Sequence, residues 1–298
     1  GEFIEKYFET IGELVERGFS VVAMDWRGQG LSARELPDAN KGHIDDFDMF
    51  ERDLEALRKQ VLQFLCPQPW FALAHSMAGA VLLSQANSGR SPFERLVLVS
   101  PMIEIAGRAT HTSTRVVVEI ADAVGLGASY APGVSRRSSM SEPFEGNDLT
   151  SDAGRYARNA AIVAAAPQLA VAGPTIGWIN AALRISRKLS DPEFPRRTGT
   201  PVLIVVGADD RVVSTPAIAR FANRLKAGRM ILLHGARHEI LQESDTIREQ
   251  FWAAFDAFVP GSREEAAALR RATDHEAAQR IFTSPWWRRL FGARRRAA

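Results

Sequence analysis

Three residue types in this sequence could form a proton relay: a serine, a histidine and a carboxylate. Ser76 follows the apolar run 71–75 and precedes a helical pattern rich in small residues. A serine at a sharp strand-to-helix turn presents its hydroxyl above the sheet, beside the free N–H groups of the helix start. A serine hydroxyl also needs a base, usually histidine, oriented by a carboxylate. Ser76 is therefore a candidate nucleophile, and a serine that only caps a helix is the alternative.

The two partners of such a serine follow later apolar runs. Asp209 and Asp210 follow the run 201–206, and His238 follows the run 230–233. The carboxyl ends of parallel strands meet at one edge of the sheet, where open α/β sheets bind ligands. Either aspartate could orient the base. His234 is the alternative base, but it lies very close to its strand.

The other histidines are not favoured as catalytic groups. His43 is expected at the start of a helix, and His75 is expected to point away from Ser76 because side chains alternate along a strand. His111 and His275 are expected at the surface.

Short runs rich in Val, Ile and Leu alternate with helical patterns. Apolar and polar residues show little alternation within these runs, which is typical of strands buried on both faces in a parallel sheet. The predicted strands are 19–24, 71–75, 95–100, 201–206 and 230–233, and the predicted helices are roughly 43–65, 77–87, 215–226 and 244–258. The first helix has one apolar stripe: Ile44, Phe47, Phe50, Leu54, Leu57, Val61 and Phe64. This order predicts an α/β fold, a mostly parallel sheet flanked by helices.

The succession of predicted strands and helices stops between residues 104 and 195, where an Ala-rich, mostly helical pattern separates two strands. Its apolar stretches 116–118, 162–166 and 176–179 either pack this insertion together or line a pocket. The predicted organisation is a first core part at 1–103, a helical insertion at 104–195, a second core part at 196–260 and a basic tail at 261–298.

Composition excludes several classes of protein. Of 298 residues, 46% are hydrophobic and 24% charged, which is typical of a globular protein. Cys66 is the only cysteine, so a disulfide scaffold and a multi-cysteine metal site are excluded. Residues 1–260 carry 28 basic and 31 acidic residues, so no nucleic-acid surface is expected, whereas 261–298 carry nine arginines and four acidic residues.

Two motif matches do not indicate a cofactor. His238-Glu239 begins an H-E-x-x-H zinc motif, but position 242 is glutamine. The G-x-G-x-x-A match at 28–33 is followed by Pro37 and a polar stretch instead of the helix that a dinucleotide site needs. We expect neither a metal nor an organic cofactor.

These residues and their motifs resemble the α/β-hydrolase superfamily, and within it the monoacylglycerol lipase and bacterial lysophospholipase group. The matching motifs are D-W-R-G-Q-G-L-S at 25–32, A-H-S-M-A-G at 74–79, G-A-D-D-R-V-V at 207–213 and G-A-R-H at 235–238. Segments 2–7 and 147–152 look like bacterial lysophospholipase-type members. The resemblance covers about residues 2–260, and alanines stand at 74 and 78 where the family has glycine.

The resemblance implies roles for particular residues. Ser76 would be the nucleophile, Asp210 rather than Asp209 the acid, and His238 the base, with the backbone N–H of Met77 as an oxyanion donor. Residues 104–195 would form a cap over an acyl pocket. The first strands of the fold and a second oxyanion donor would precede residue 1.

The implied activity is hydrolysis of carboxylic esters through an acyl-enzyme, as in a lysophospholipase or monoacylglycerol lipase. A serine aminopeptidase, a general carboxylesterase and a non-catalytic binding protein on the same fold remain as alternatives. The partner expected at the site is a small lipid or ester.

The tail bears on location. Its aromatic residues, among them Trp286, Trp287 and Phe291, lie between arginines and could contact an anionic membrane surface. A solvated basic tail is the alternative. The expected location is the cytoplasm, with peripheral contact to the inner membrane face.

Overall fold

A parallel sheet of four strands forms the centre of the structure, with the order β1-β2-β3-β4. The strands are β1 (Phe71–His75), β2 (Arg95–Val99), β3 (Val202–Gly207) and β4 (Gly228–Leu233). Every neighbouring pair is parallel: Ala74 lies opposite Leu98, and Val205 opposite Ile231. Strands β2 and β3 are buried along almost their whole length, whereas β4 is partly exposed. The predicted parallel α/β sheet is confirmed.

The strand predicted at 19–24 is wrong. No strand is formed there, and none of the four strands of the described sheet takes this segment as a ladder neighbour. Val22 and Ala23 are exposed. An apolar run becomes a strand only where a neighbouring backbone supplies hydrogen-bond partners, and the run itself does not show whether such a neighbour exists.

This is a computed structural model that describes residues 1–107 and 112–261, with the side chain of Thr112 left out. The helices are α1 (Phe8–Glu16), α2 (Asp48–Leu57), α3 (Gln63–Leu65), α4 (Met77–Asn87), α5 (Thr112–Ala121), α6 (Ala153–Ala165), α7 (Ile176–Leu189), α8 (Glu193–Arg197), α9 (Thr215–Ala222) and α10 (Asp245–Phe258). Among these described residues, no helix combines the length and apolar composition that crossing a bilayer requires.

The chain divides into two units. The larger unit comprises Gly1–Phe8 and Val22–Val259, and it contains the sheet and all the predicted site residues. The smaller unit comprises Glu9–Val21 and Pro260–Ala298, of which residues 9–21, 260 and 261 are described. Residues 262–298 of the basic tail, including Trp286, Trp287 and Phe291, lie outside the described residues.

The helix predicted at 43–65 differs from the structure in two ways. It begins at Asp48, and a π-helical turn at Arg58–Leu62 separates α2 from α3. A π turn adds one residue to the helical repeat, so the apolar stripe shifts by one position. Leu62 is therefore buried where Val61 was expected, and Phe64 is 77% exposed.

The insertion between β2 and β3 contains helices α5 to α8, as its pattern predicted. Val118 and Ile176 pack with Ala131 and Leu183, and Val163 belongs to a second apolar cluster. These residues hold the insertion together, whereas Val116 and Val117 are exposed. The insertion and the sheet both belong to the larger unit, and the exact domain boundaries stay a prediction.

The core lies between the sheet and the helices packed on it. Its buried side chains come mainly from α2, α4, α7, α9 and the central strands, and include Phe50, Leu83, Leu98, Leu189 and Ile204. Helix α9 ends at Ala222, earlier than predicted, and α10 is close to its predicted bounds. The core fixes the carboxyl ends of β1, β3 and β4, where the candidate site lies.

Candidate active site

Ser76 occupies a tight turn between β1 and α4. Its φ of 51° and ψ of −115° lie in a region that non-glycine residues rarely adopt, at a cost of about 1–3 kcal/mol. The backbone around it is held firmly: its N–H donates to the Val99 carbonyl at 2.9 Å, and its own carbonyl accepts from Met102 and Gly79, each at 3.0 Å. The turn therefore presents the hydroxyl in a fixed direction.

The alanines at 74 and 78 do not prevent this turn. Ala74 is buried and Ala78 packs at the edge of the core, and Ser76 still adopts the strained conformation. The essential small residue is Gly79, because a Cβ there would lie 2.7 Å from the Cβ of Pro101. The close approach of α4 to the chain after β2 therefore depends on position 79.

The imidazole of His238 bridges Ser76 and Asp210. Its Nε2 lies 3.0 Å from Ser76 Oγ, and its Nδ1 lies 2.8 Å from Asp210 Oδ2. With an ionised carboxylate at Asp210, Nδ1 carries the proton and Nε2 can accept the proton of the serine hydroxyl. The structure thus brings together the serine, histidine and aspartate that the sequence singled out.

Asp210 is held as a carboxylate by its hydrogen bonds. Its Oδ1 accepts from the backbone N–H groups of Val212 at 2.9 Å and Val213 at 3.1 Å. Burial raises the pKa of this carboxyl, but the hydrogen bond and charge of His238 and the two backbone donors outweigh burial, so the pKa of Asp210 is lowered. The side chain is fully buried and suited to orient an imidazole.

Gly207, the last residue of β3, allows the loop that carries His238 to approach the sheet. A Cβ at this position would lie 2.3 Å from the carbonyl oxygen of Ala236 and 2.4 Å from that of Arg237. Neither backbone atom could move without moving the histidine. The glycine that opens the G-A-D-D segment therefore brings the acid and the base together.

The prediction for His75 is wrong in its direction. Its Nε2 lies 3.2 Å from the carbonyl oxygen of His238, and the two rings are 4.7 Å apart. Strand alternation fails here because Ser76, with its positive φ, has already left the strand. Burial, and then the charge of His238, lower the pKa of His75 to about 3. A neutral His75 therefore donates through Nε2 to the His238 carbonyl.

A buried ion pair includes Glu239, the residue that follows His238, and sequence reasoning missed it. Lys6 and Glu239 are almost fully buried, with Lys6 Nζ 2.6 Å from Glu239 Oε1. Lys6 also contacts Glu2 at 3.2 Å, and Glu2 accepts from the Tyr7 hydroxyl at 2.6 Å. Burial lowers the pKa of the Lys6 ammonium, but the charges and hydrogen bonds of the two carboxylates outweigh burial, so the pKa of Lys6 is raised. No local pattern links residues so far apart in the chain.

The alternative site residues lie elsewhere. Asp209 and His234 are exposed, and the carboxylate bonded to the His238 imidazole is that of Asp210. His43 precedes the helix instead of starting it, and its Nδ1 lies 2.7 Å from Thr175 Oγ1. His111 and His275 lie outside the described residues.

Helix α4 begins at Met77, directly after Ser76. The first N–H groups of a helix have no acceptor within the helix, so the Met77 N–H can bind a developing negative charge. A cleft of about 430 Å³ adjoins Asp210 and is lined in part by Glu104, Ile105 and Pro216. Ser76 and His238 do not line this cleft, so we do not assign it to the reacting group.

Fold and geometry together define a class: an α/β hydrolase with a Ser–His–Asp constellation at the carboxyl edge of its sheet. A family model described as "Serine aminopeptidase, S33" matches residues 1–245. Lysophospholipase L2 of Escherichia coli K12 is 33% identical over 259 residues, which cover 82% of this chain and 73% of that protein. The chain therefore belongs to this S33-type family of serine hydrolases.

Two further similarities agree with this assignment. Monoglyceride lipase of Rattus norvegicus is 27% identical over 216 residues, covering 71% of this chain and 63% of that protein. The crystal structure of a soluble variant of monoglyceride lipase from Saccharomyces cerevisiae has a TM-score of 0.67 at 19% identity, covering 85% of this chain and 81% of that one. The predicted class, an ester-cleaving serine hydrolase of lysophospholipase and monoglyceride lipase type, is confirmed.

Proposed function

We propose that this protein hydrolyses the acyl ester of lysophospholipids, with Ser76 as nucleophile, His238 as base and Asp210 as the orienting acid. The observation that carries the proposal is the continuous hydrogen-bonded path from Ser76 Oγ through His238 to Asp210, with distances of 3.0 and 2.8 Å. Lysophospholipase L2, the relative at 33% identity, supports the choice of substrate.

The geometry supports a two-step reaction. His238 Nε2 takes the proton of Ser76 as Oγ attacks the ester carbonyl, and Asp210 stabilises the imidazolium that forms. The N–H of Met77 donates to the oxyanion. His238 then gives the proton to the leaving alcohol, here the glycerol hydroxyl of the headgroup portion. His238 then deprotonates a water that attacks the acyl-serine, and it returns this proton to Ser76 Oγ as the acyl C–O bond breaks, which releases the fatty acid and restores the serine.

A lipid substrate is supported by the surface of the insertion. Val117 is 63%, Ile120 59% and Val124 68% exposed, at spacings of three and four along α5 and the turn after it. Such a face suits contact with the apolar surface of a lipid aggregate.

A serine aminopeptidase is the second candidate, because the matching family model carries that description. An aminopeptidase needs a carboxylate to bind the substrate's ammonium group. Glu239, the buried carboxylate that follows His238 in the chain, and the partly exposed Glu2 are both engaged by Lys6. This engagement favours the ester reaction.

The test is a panel of substrates for the intact protein: a 1-acyl lysophospholipid, a monoacylglycerol, a short-chain ester and an aminoacyl anilide. We expect the highest kcat/KM with the lysophospholipid and loss of every activity in Ser76→Ala. A preference for the aminoacyl anilide would contradict the proposal and indicate a serine aminopeptidase. A preference for the monoacylglycerol would move the substrate to the neutral lipid.

The basic tail would bring the enzyme to such a substrate. We propose that residues 283–298 bind anionic membranes through their arginines and aromatic side chains, which lie outside the described residues. Co-sedimentation with anionic liposomes should fall on deletion of 283–298, and high salt should weaken binding of the intact protein. Equal binding of both forms would contradict this role and favour a solvated tail.

A further inference from the structure

The 147–152 segment of the insertion lies directly against the histidine loop, by which we mean residues 235–243. The N–H of Glu239 donates to the Leu149 carbonyl at 2.7 Å. The hydroxyl of Thr150 donates to the Gln242 carbonyl at 2.7 Å, and Thr150 is almost fully buried. The segment therefore binds the loop on the carboxyl side of His238.

Arg237 joins the same segment to the loop on the other side of His238. Its Nη1 donates to the carbonyl oxygens of Asn147 and Thr150, each at 2.9 Å. The Asn147 side chain in turn accepts from the N–H groups of Leu149 at 2.9 Å and Thr150 at 3.0 Å, which fixes the turn that presents these carbonyls.

Glu243 completes the connection. Its carboxylate is fully buried and accepts from the N–H of Ser151 at 3.0 Å, from the Ser151 hydroxyl and from the N–H of Arg237 at 2.8 Å. One side chain thus binds the segment and the residue before His238. A buried carboxylate that is fully engaged in this way holds both backbones in one arrangement.

We propose that the 147–152 segment, acting through Thr150 and Glu243, positions His238 for catalysis. The residues on both sides of His238 are hydrogen-bonded to the segment, whereas the imidazole itself is hydrogen-bonded to Ser76 and Asp210. The segment thus couples the insertion to the base of the reaction. This inference rests on the proposed function, in which His238 transfers the proton.

Variants at Thr150 test the inference in the intact protein. Thr150→Val keeps the shape of the side chain and removes the hydroxyl that holds the Gln242 carbonyl, whereas Thr150→Ser keeps that hydroxyl. Thr246→Val is a matched control, since Thr246 is exposed on α10. Glu243→Gln is a second variant for the case that Thr150→Val does not fold, with Glu243→Asp as its conservative partner.

A displacement of the base by a fraction of an ångström lowers the rate of the chemical step more than it weakens the binding of substrate. In Thr150→Val we expect kcat to fall about ten- to hundredfold while KM changes less than about twofold. The rate of labelling of Ser76 by a fluorophosphonate should fall in parallel. Thr150→Ser should recover most of kcat, and Thr246→Val should match the unchanged protein.

Three results separate the possibilities. A folded Thr150→Val, and a folded Glu243→Gln, with unchanged kcat would overturn the positioning role. A fall in kcat that follows only the loss of thermal stability, and that Thr150→Ser does not recover, would also overturn it. Absence of Ser76 labelling in the unchanged protein would instead contradict the proposed function itself.

Discussion

At the residue scale, the proposed chemistry rests on one hydroxyl, one imidazole and one carboxylate. Their types and chain positions were predictable from the sequence because each follows an apolar run that forms a strand. The residues alone did not decide between Asp209 and Asp210. The structure places Asp210 against the imidazole, since the turn after Gly207 brings its carboxylate to His238 Nδ1.

A protein without the Asp210 charge should still fold but should lose most of its activity. In Asp210→Asn the amide cannot hold His238 with its proton on Nδ1, so Nε2 loses its ability to accept the serine proton. We expect kcat to fall by about 10³–10⁴. Steady-state kinetics on the lysophospholipid would measure this, with Asp209→Asn as the control. Equal losses in both variants would assign the role to neither residue alone.

The lowered pKa of Asp210 also predicts a pH dependence of stability. Because the folded pKa lies below the unfolded value of about 3.9, ionisation of Asp210 stabilises the fold above that pH. This contribution is lost as the pH falls through the folded pKa. Asp210→Asn should therefore show a shallower decline in the free energy of unfolding below about pH 4, measured by urea denaturation. A decline as steep as in the unchanged protein would contradict this assignment.

At the scale of elements, the π turn at Arg58–Leu62 explains where the apolar stripe was misplaced. A periodicity of 3.6 predicts Val61 and Phe64 inside, but one additional residue in the turn places Leu62 inside. A π turn has no sequence signal comparable to proline or glycine. The sequence therefore predicted that a helix exists here, but not which residues its second half buries.

Leu62 and Phe64 give a direct test of that turn. Leu62 is buried, so Leu62→Ala should lower the free energy of unfolding by about 2–4 kcal/mol. Phe64→Ala should change it by less than about 0.5 kcal/mol, because the ring is exposed. Denaturant unfolding of both variants would decide the matter. A larger effect at Phe64 than at Leu62 would mean that the helix is regular.

The end of β3 and the histidine loop form a second element-scale contact. In Gly207→Ala the new Cβ would meet the Ala236 carbonyl, so the loop must move and carry His238 away from Ser76. We expect kcat to fall at least about a hundredfold. Gly199→Ala is the matched control, since nothing lies within 4 Å of a Cβ there. Unchanged kinetics in Gly207→Ala would show that the loop tolerates the displacement.

At the scale of the whole molecule, strand order and helical periodicity predicted a parallel sheet with a helical insertion. What they could not predict depends on contacts between distant residues. The run at 19–24 forms no strand, His75 donates to the His238 carbonyl, and Lys6 pairs with Glu239 in the interior. Each of these outcomes is decided by which chain segments become neighbours after folding.

Contacts between distant segments also position the three residues of the candidate site. The strands position Ser76 and Asp210, while the insertion binds the loop that carries His238. The proposed lipid substrate would meet a surface formed by the same insertion. We therefore expect this assembly to activate the hydroxyl of Ser76.

Reaction of the intact protein with a fluorophosphonate, followed by mass spectrometry of the adduct, shows whether the Ser76 hydroxyl is activated. We expect one adduct on Ser76, formed quickly in the unchanged protein and almost absent in folded His238→Ala. An adduct on another residue, no adduct in folded protein, or labelling of Ser76 that is unaffected in His238→Ala would contradict this expectation.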